Sequence, residues 1–268
     1  MSDLMTYVYG VTRGDDALAE RLAALEGVAG APVHLIPDGN GLALVASSVP
    51  AEDFREEALR RRLEDLDWLS AVARAHHGVV EAVAAYTTVL PLRLATVYLD
   101  DARAREVLAA GRELFTDRLA RLAGHVEWGV KVYVDPSAAP EPPSAPADAQ
   151  LSPGRSYLRG RRQQQRHRDT AHRAAQRAAE GIEAAGRAYA SERARHRVQQ
   201  GALAEAAGEN VVNDAYLVPL DRGEAFRAEV ARAADGLAGV RVEITGPWAP
   251  YSFAMGPEET GDAAGAGP

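Results

Sequence analysis

Seven histidines and no cysteine bound the metal and nucleophile chemistry open to this 268-residue chain. Without cysteine there is no thiol nucleophile, no thiolate ligand and no disulfide framework, which fits a reducing cytoplasm. His76 and His77 are adjacent, and neighbours on a helix point about 100° apart, so they do not readily share one metal. His76 also continues an apolar stripe, which makes it an expected core histidine. His167 and His172 lie five apart among arginines, in a field that repels cations. The sequence holds no phosphate-cradling P-loop, no glycine-rich dinucleotide fingerprint and no nucleophile elbow. These residues predict no catalytic site, no metal, no cofactor and no enzyme.

Binding chemistry is better represented. Arg93, Glu127 and Lys131 alternate with the apolar sets Leu90, Leu92, Leu94 and Val126, Trp128, Val130, Val132. If the apolar sets face helices, the three charged side chains share the other sheet face, as a surface ion pair or a partner-binding group. From Arg155 to Arg197 twelve arginines stand against four carboxylates, leaving eight positive charges. The chain total of −8 then puts −16 on the remainder. Arg161, Arg162 and Arg166 lead this stretch. It reads first as a solvated helix face; its field would also steer an acidic protein, an acidic membrane surface or, as the alternative, nucleic acid, although Tyr157 and Tyr189 are its only candidates for base stacking. The run Gly246–Phe253 packs Trp248, Tyr251 and Phe253 among two prolines directly after a strand. Such a run folds back over the core or presents an aromatic lip to an apolar partner.

The elements that must position these groups are legible in the periodicities. A strand over 4–11, a helix from Asp15-Asp16 through Leu18, Leu22 and Leu25, and a hairpin turning at Asp38-Gly39-Asn40-Gly41 open the chain. A helical region over 51–86 follows, with Leu66, Leu69, Ala73, His76, Val80 and Val83 on one face. Strand 89–98, helix 102–122 and strand 125–134 complete a βαββαβαβ order, read as a ferredoxin-like α+β sheet with one appended αβ pair. The Pro- and Ala-rich span 135–153 is assigned as an inter-domain linker. Domains are therefore expected at 1–134 and 154–253, with a disordered tail over 254–268. The second domain starts with a long coiled-coil-like helix over 155–207, seamed by Ala171, Ala175, Ala178, Ile182, Ala185 and Tyr189. Gly181, Gly186 and Gly201 suggest that this helix breaks. A small strand-helix-strand unit over 211–245 ends it.

Five short motifs in order carry a resemblance. They are Tyr7-Val8-Tyr9-Gly10-Val11, Val89 to Val97, Val126 to Val132, Asn213 to Val218, and Gly246 to Phe253. Together they resemble the gas vesicle protein F and L family over about Thr6 to Phe253, without separating the F type from the L type. The resemblance implies a cytoplasmic, vesicle-associated accessory protein that acts with the small hydrophobic shell protein and other vesicle proteins as chaperone, nucleator or minor component. No apolar run approaches the ~20 residues that span a bilayer, and the N-terminus does not read as a secretory signal.

Overall fold

The computed structural model describes residues 3–134, 153–198 and 208–254, with backbone alone over 153–158. The chain is α+β and forms two compact units, Met1–His125 together with Trp248–Pro268, and Val126–Pro247. The expected boundary at 135–153 is thus replaced by one at His125, because the strand following it is paired in the second sheet. Of that expected linker only Pro153 lies within the described residues, as does only Ala254 of the expected tail.

In the first unit β1 (Leu4–Arg13), α1 (Asp16–Leu22), β2 (Val33–Pro37) and β3 (Leu42–Pro50) lead to helices α2 (Ala51–Phe54), α3 (Glu56–Arg62) and α4 (Leu66–Ala84), then β4 (Val89–Pro91) and β5 (Val97–Tyr98). The sheet order is β2-β3-β1-β4, with β5 also on β1. β1 is central and buried on both faces from Thr6 to Thr12. Gly10 sits where a Cβ would lie 2.8 Å from the Leu90 carbonyl, so no larger residue lets β4 approach. Asp15 caps α1 through the Leu18 amide at 2.7 Å. The β2–β3 turn uses positive φ at Gly39 and Gly41, with Asp38 accepting from the amides of Asn40 and Leu42.

Three elements differ from what the periodicities predict. The strand expected over 89–98 is interrupted: Leu92 N–H donates to Tyr9 O and Val8 N–H donates to the Thr96 carbonyl, both at 2.9 Å. Consecutive β1 residues thus bond Leu92 and Thr96, and Arg93 to Ala95 loop out between them. The buried stripe of α4 is Val72, His76, Val79, Val80 and Val83, whereas Leu66 is 75% exposed. It is set by α4 packing on β1 and β4. The helix expected over 102–122 is likewise two helices, α5 (Asp101–Ala110) and α6 (Arg112–Leu122), separated at Gly111.

The second unit runs β6 (His125–Val134), α7 (Pro153–Tyr189), β7 (Glu192–Arg195), β8 (Glu209–Pro219), α8 (Gly223–Arg232) and β9 (Val240–Trp248), in sheet order β7-β8-β6-β9. Trp128, Val130, Val132 and Val134 alternate inward from β6 and meet Ala171, Ala175, Ile182 and Ala185 of α7 and Phe226 and Val230 of α8. The seam read from sequence is the buried one. α7 does not break at its glycines, because these are close-approach sites: a Cβ on Gly181 would lie 2.9 Å from that of Ala233, and one on Gly186 2.4 Å from the Tyr216 ring. The helix ends at Tyr189, and Glu192–Arg195, expected to be helical, pairs with β8 as a strand. Residues 199–207 of the expected helix, including Gly201, lie outside the described residues.

Both units therefore share one βαββαβ topology, with β1, β2, β3 and β4 equivalent in order and position to β6, β7, β8 and β9.

Candidate functional site

In the first unit β1 and α4 bring Tyr7, Tyr9 and His76 together. Tyr7 Oη accepts from the Ala95 amide at 3.0 Å and lies 2.9 Å from His76 Nδ1. Its own proton is thus assigned to Nδ1, and the ring proton to Nε2. Nε2 faces the Leu92 backbone without a well-formed hydrogen bond. Tyr9 repeats the pattern, accepting from the Val28 amide and donating to Ser47 Oγ. Burial, assisted by His77, lowers the His76 pKa to about 4 against an opposing contribution from Leu92. Burial also raises both tyrosines above their ordinary value. Tyr7, Tyr9 and Ser47 are fully buried and His76 nearly so. Each phenol is committed to partners, so the network braces the core and offers no open acid or base.

The aromatic run splits between the two roles weighed from sequence. Phe253 is buried and Tyr251 half-buried against the first-unit core, held by Arg118 and Arg121 donating to the carbonyls of Ala254 and Phe253. Glu81 accepts from the Ala249 amide at 2.9 Å. Trp248, packed edge-on against His77 with ring centroids 5.4 Å apart, remains 40% exposed.

The charged trio does not assemble on one sheet. Arg93 is exposed in the loop between β4 and β5 of the first sheet, whereas Glu127 and Lys131 are half-buried on β6 of the second. The interruption of the expected strand and the transfer of β6 separate them.

On α7, Arg161, Arg162 and Arg166 are exposed, as is every residue from Arg159 to Thr170 apart from the half-buried His167. At 100° per residue Arg159, Arg162, Arg166, Arg173 and Arg177 fall in one stripe, opposite the buried seam at Ala171, Ala178 and Ile182. A feature that sequence reasoning missed lies at the other end of α7. Arg193 donates to buried Asp214 through Nε and Nη2, at 3.0 and 2.6 Å, and approaches Glu183 at 3.3 Å. Beside them Tyr216 has its pKa pushed up to about 12 by burial. A cleft of about 230 Å³ opens over Glu183, Arg187, Ser191, Arg193 and Tyr216. Only the β7–β8 pairing brings Arg193 to Asp214, and that pairing had no signal in the periodicity. Among the described residues no three metal-ligating side chains converge, and no helix is long and apolar enough to cross a membrane.

Crystal structures of GvpF from Microcystis aeruginosa and from Anabaena align with TM-scores of 0.62 and 0.61 over 94% of this chain and 99% and 96% of theirs, at 21% and 18% identity. Gas vesicle protein L of a Streptomyces species is 44% identical over 96% of both chains. Gas vesicle protein F of the same species is 27% identical over 93% of this chain and 99% of its own. The profile of the gas vesicle synthesis protein GvpL/GvpF family matches residues 5–255, through both units, and the chain belongs to that family.

Proposed function

We propose that this chain is a non-catalytic accessory protein of gas vesicle assembly, of the L type, which binds the hydrophobic shell protein and other vesicle proteins in the cytoplasm and at the growing vesicle. The observation that carries this reading is the 44% identity to gas vesicle protein L over 96% of both chains. Physical chemistry supports the division of labour. A shell subunit that exposes apolar surface before it polymerises aggregates unless that surface is covered. Trp248 supplies an exposed aromatic contact, and the arginine stripe of α7 supplies a second, electrostatic one. Cover of this kind requires no nucleotide, and the buried Tyr7, Tyr9 and His76 of the first unit are committed to partners within the core.

A vesicle-producing host tests the proposal. Loss of this chain abolishes or malforms vesicles, and wild-type protein restores them. Trp248→Ala impairs rescue if the aromatic contact docks the shell protein, and the triple change Arg161→Ala, Arg162→Ala, Arg166→Ala impairs it if docking is electrostatic. Full vesicle formation without the chain overturns the assembly role. The exposed arginine stripe is also what a nucleic-acid-binding protein would present. That second reading predicts binding to duplex or single-stranded probes with a steep salt dependence.

A further inference from the structure

We infer that β9 is a homodimerisation edge, at which two copies of this chain pair antiparallel about Val242 to join their second-unit sheets. The inference is independent of the assembly role, since it starts from the four edge strands. In the first unit both edges are blunted. β4 is three residues long, ends at a proline and gives way to the looped-out Arg93–Ala95. On the outer side of β2 the Val33 amide donates to Leu25 O, and the Pro37 carbonyl accepts from Arg105 Nε. In the second unit β7 has four residues. β9, the topological equivalent of β4, runs nine residues and has no described strand on its outer side. Its first six residues, Val240 to Thr245, contain neither proline nor glycine. Native proteins rarely leave such an edge without a device that blocks pairing.

The side chains select the partner. Val240, Val242 and Ile244 pack on the core face but remain partly exposed. Arg241 and Glu243 stand on the opposite face, with side chains 47% and 41% exposed, 3.1 Å apart, and the Arg241 guanidinium lies 4.1 Å from the Tyr133 ring centroid. In a two-fold antiparallel pair each residue meets one on the same face, so the centre of symmetry falls on a residue. Centring on Arg241 or on Glu243 sets like charges directly opposite, which is destabilising. Centring on Val242 sets Arg241 against the other copy's Glu243 twice, and aligns Val240 with Ile244 and Val242 with itself on the core face. The strand thus carries its own complement on both faces.

Sedimentation velocity of the full chain across a wide concentration range tests this. Wild-type protein shows a reversible monomer–dimer equilibrium. Arg241→Glu and Glu243→Arg each place like charges opposite one another and weaken the dimer by about tenfold or more. The double exchange R241E/E243R restores it. An equimolar mixture of the two single variants forms a heterodimer, because an all-acidic edge then meets an all-basic one. That rescue separates pairing from misfolding, which mixing does not repair. A wild-type chain that stays monomeric, a dimer indifferent to both reversals, or a mixture no better associated than its components overturns the inference.

Discussion

His76 shows what a buried titratable group does when it is not a catalyst. Its ordinary pKa of 6.5 falls to about 4 in the fold, so folding favours the neutral ring. The stabilisation is complete above about pH 6.5, drains away as the pH falls from there to about 4, and is absent below. Linkage makes the full contribution on the order of 3 kcal/mol. Urea unfolding should show wild-type protein losing about 2 kcal/mol more than His76→Gln between pH 7 and pH 5. Trp128 makes a second residue-scale case. It is 4% exposed and its indole Nε1 has no hydrogen-bond partner among the described residues. Trp128→Ala should therefore cost about 3 to 5 kcal/mol, and Trp128→Phe, which sacrifices no hydrogen bond, roughly 1 to 2 kcal/mol. Both residues were legible as core from the alternation and stripe that hold them. The Arg193–Asp214 pair was not, because it depends on strand pairing across intervening chain that carries no local pattern.

At the scale of elements, α7 was readable in its seam and misread in its glycines. Propensity alone assigns a mid-helix glycine a cost of about 1 kcal/mol relative to alanine. At Gly186 the absent Cβ makes room for the Tyr216 ring, so Gly186→Ala should destabilise by about 1 to 3 kcal/mol through overpacking. Gly160 on the same helix has nothing within 4 Å of its would-be Cβ, and Gly160→Ala should stabilise by up to about 1 kcal/mol. Thermal unfolding of the two variants should move the midpoint in opposite directions. The interrupted β4–β5 strand was hidden for a related reason. Pro91 and the φ of 62° at Ala95 reflect how β1 is bonded, whereas the apolar alternation through the loop reads as a continuous strand.

At the scale of the whole molecule, the ferredoxin-like order of the first unit and the two-unit plan were legible, but the assignment of β6 and of the C-terminal segment was not. Alternation identifies a strand without naming its sheet. A fragment ending at residue 134 should therefore fail to fold, since it carries β6 without β8 and β9 and lacks Ala249 and Phe253 from the first-unit core. The ends of the second unit are adjacent, with a would-be Cβ on Gly246 lying 2.7 Å from the Glu127 carbonyl. Joining His125 to Trp248 by a short glycine linker should give a first unit that unfolds cooperatively, as circular dichroism would record. The proposed role requires that this chain bind the shell protein. Its most direct test is equilibrium binding of the purified full chain to purified shell protein, without nucleotide, over a range of salt. Saturable binding that suppresses shell-protein aggregation and depends weakly on salt is expected. Absence of binding to the shell protein, accompanied by tight and steeply salt-dependent binding to nucleic acid, would contradict it.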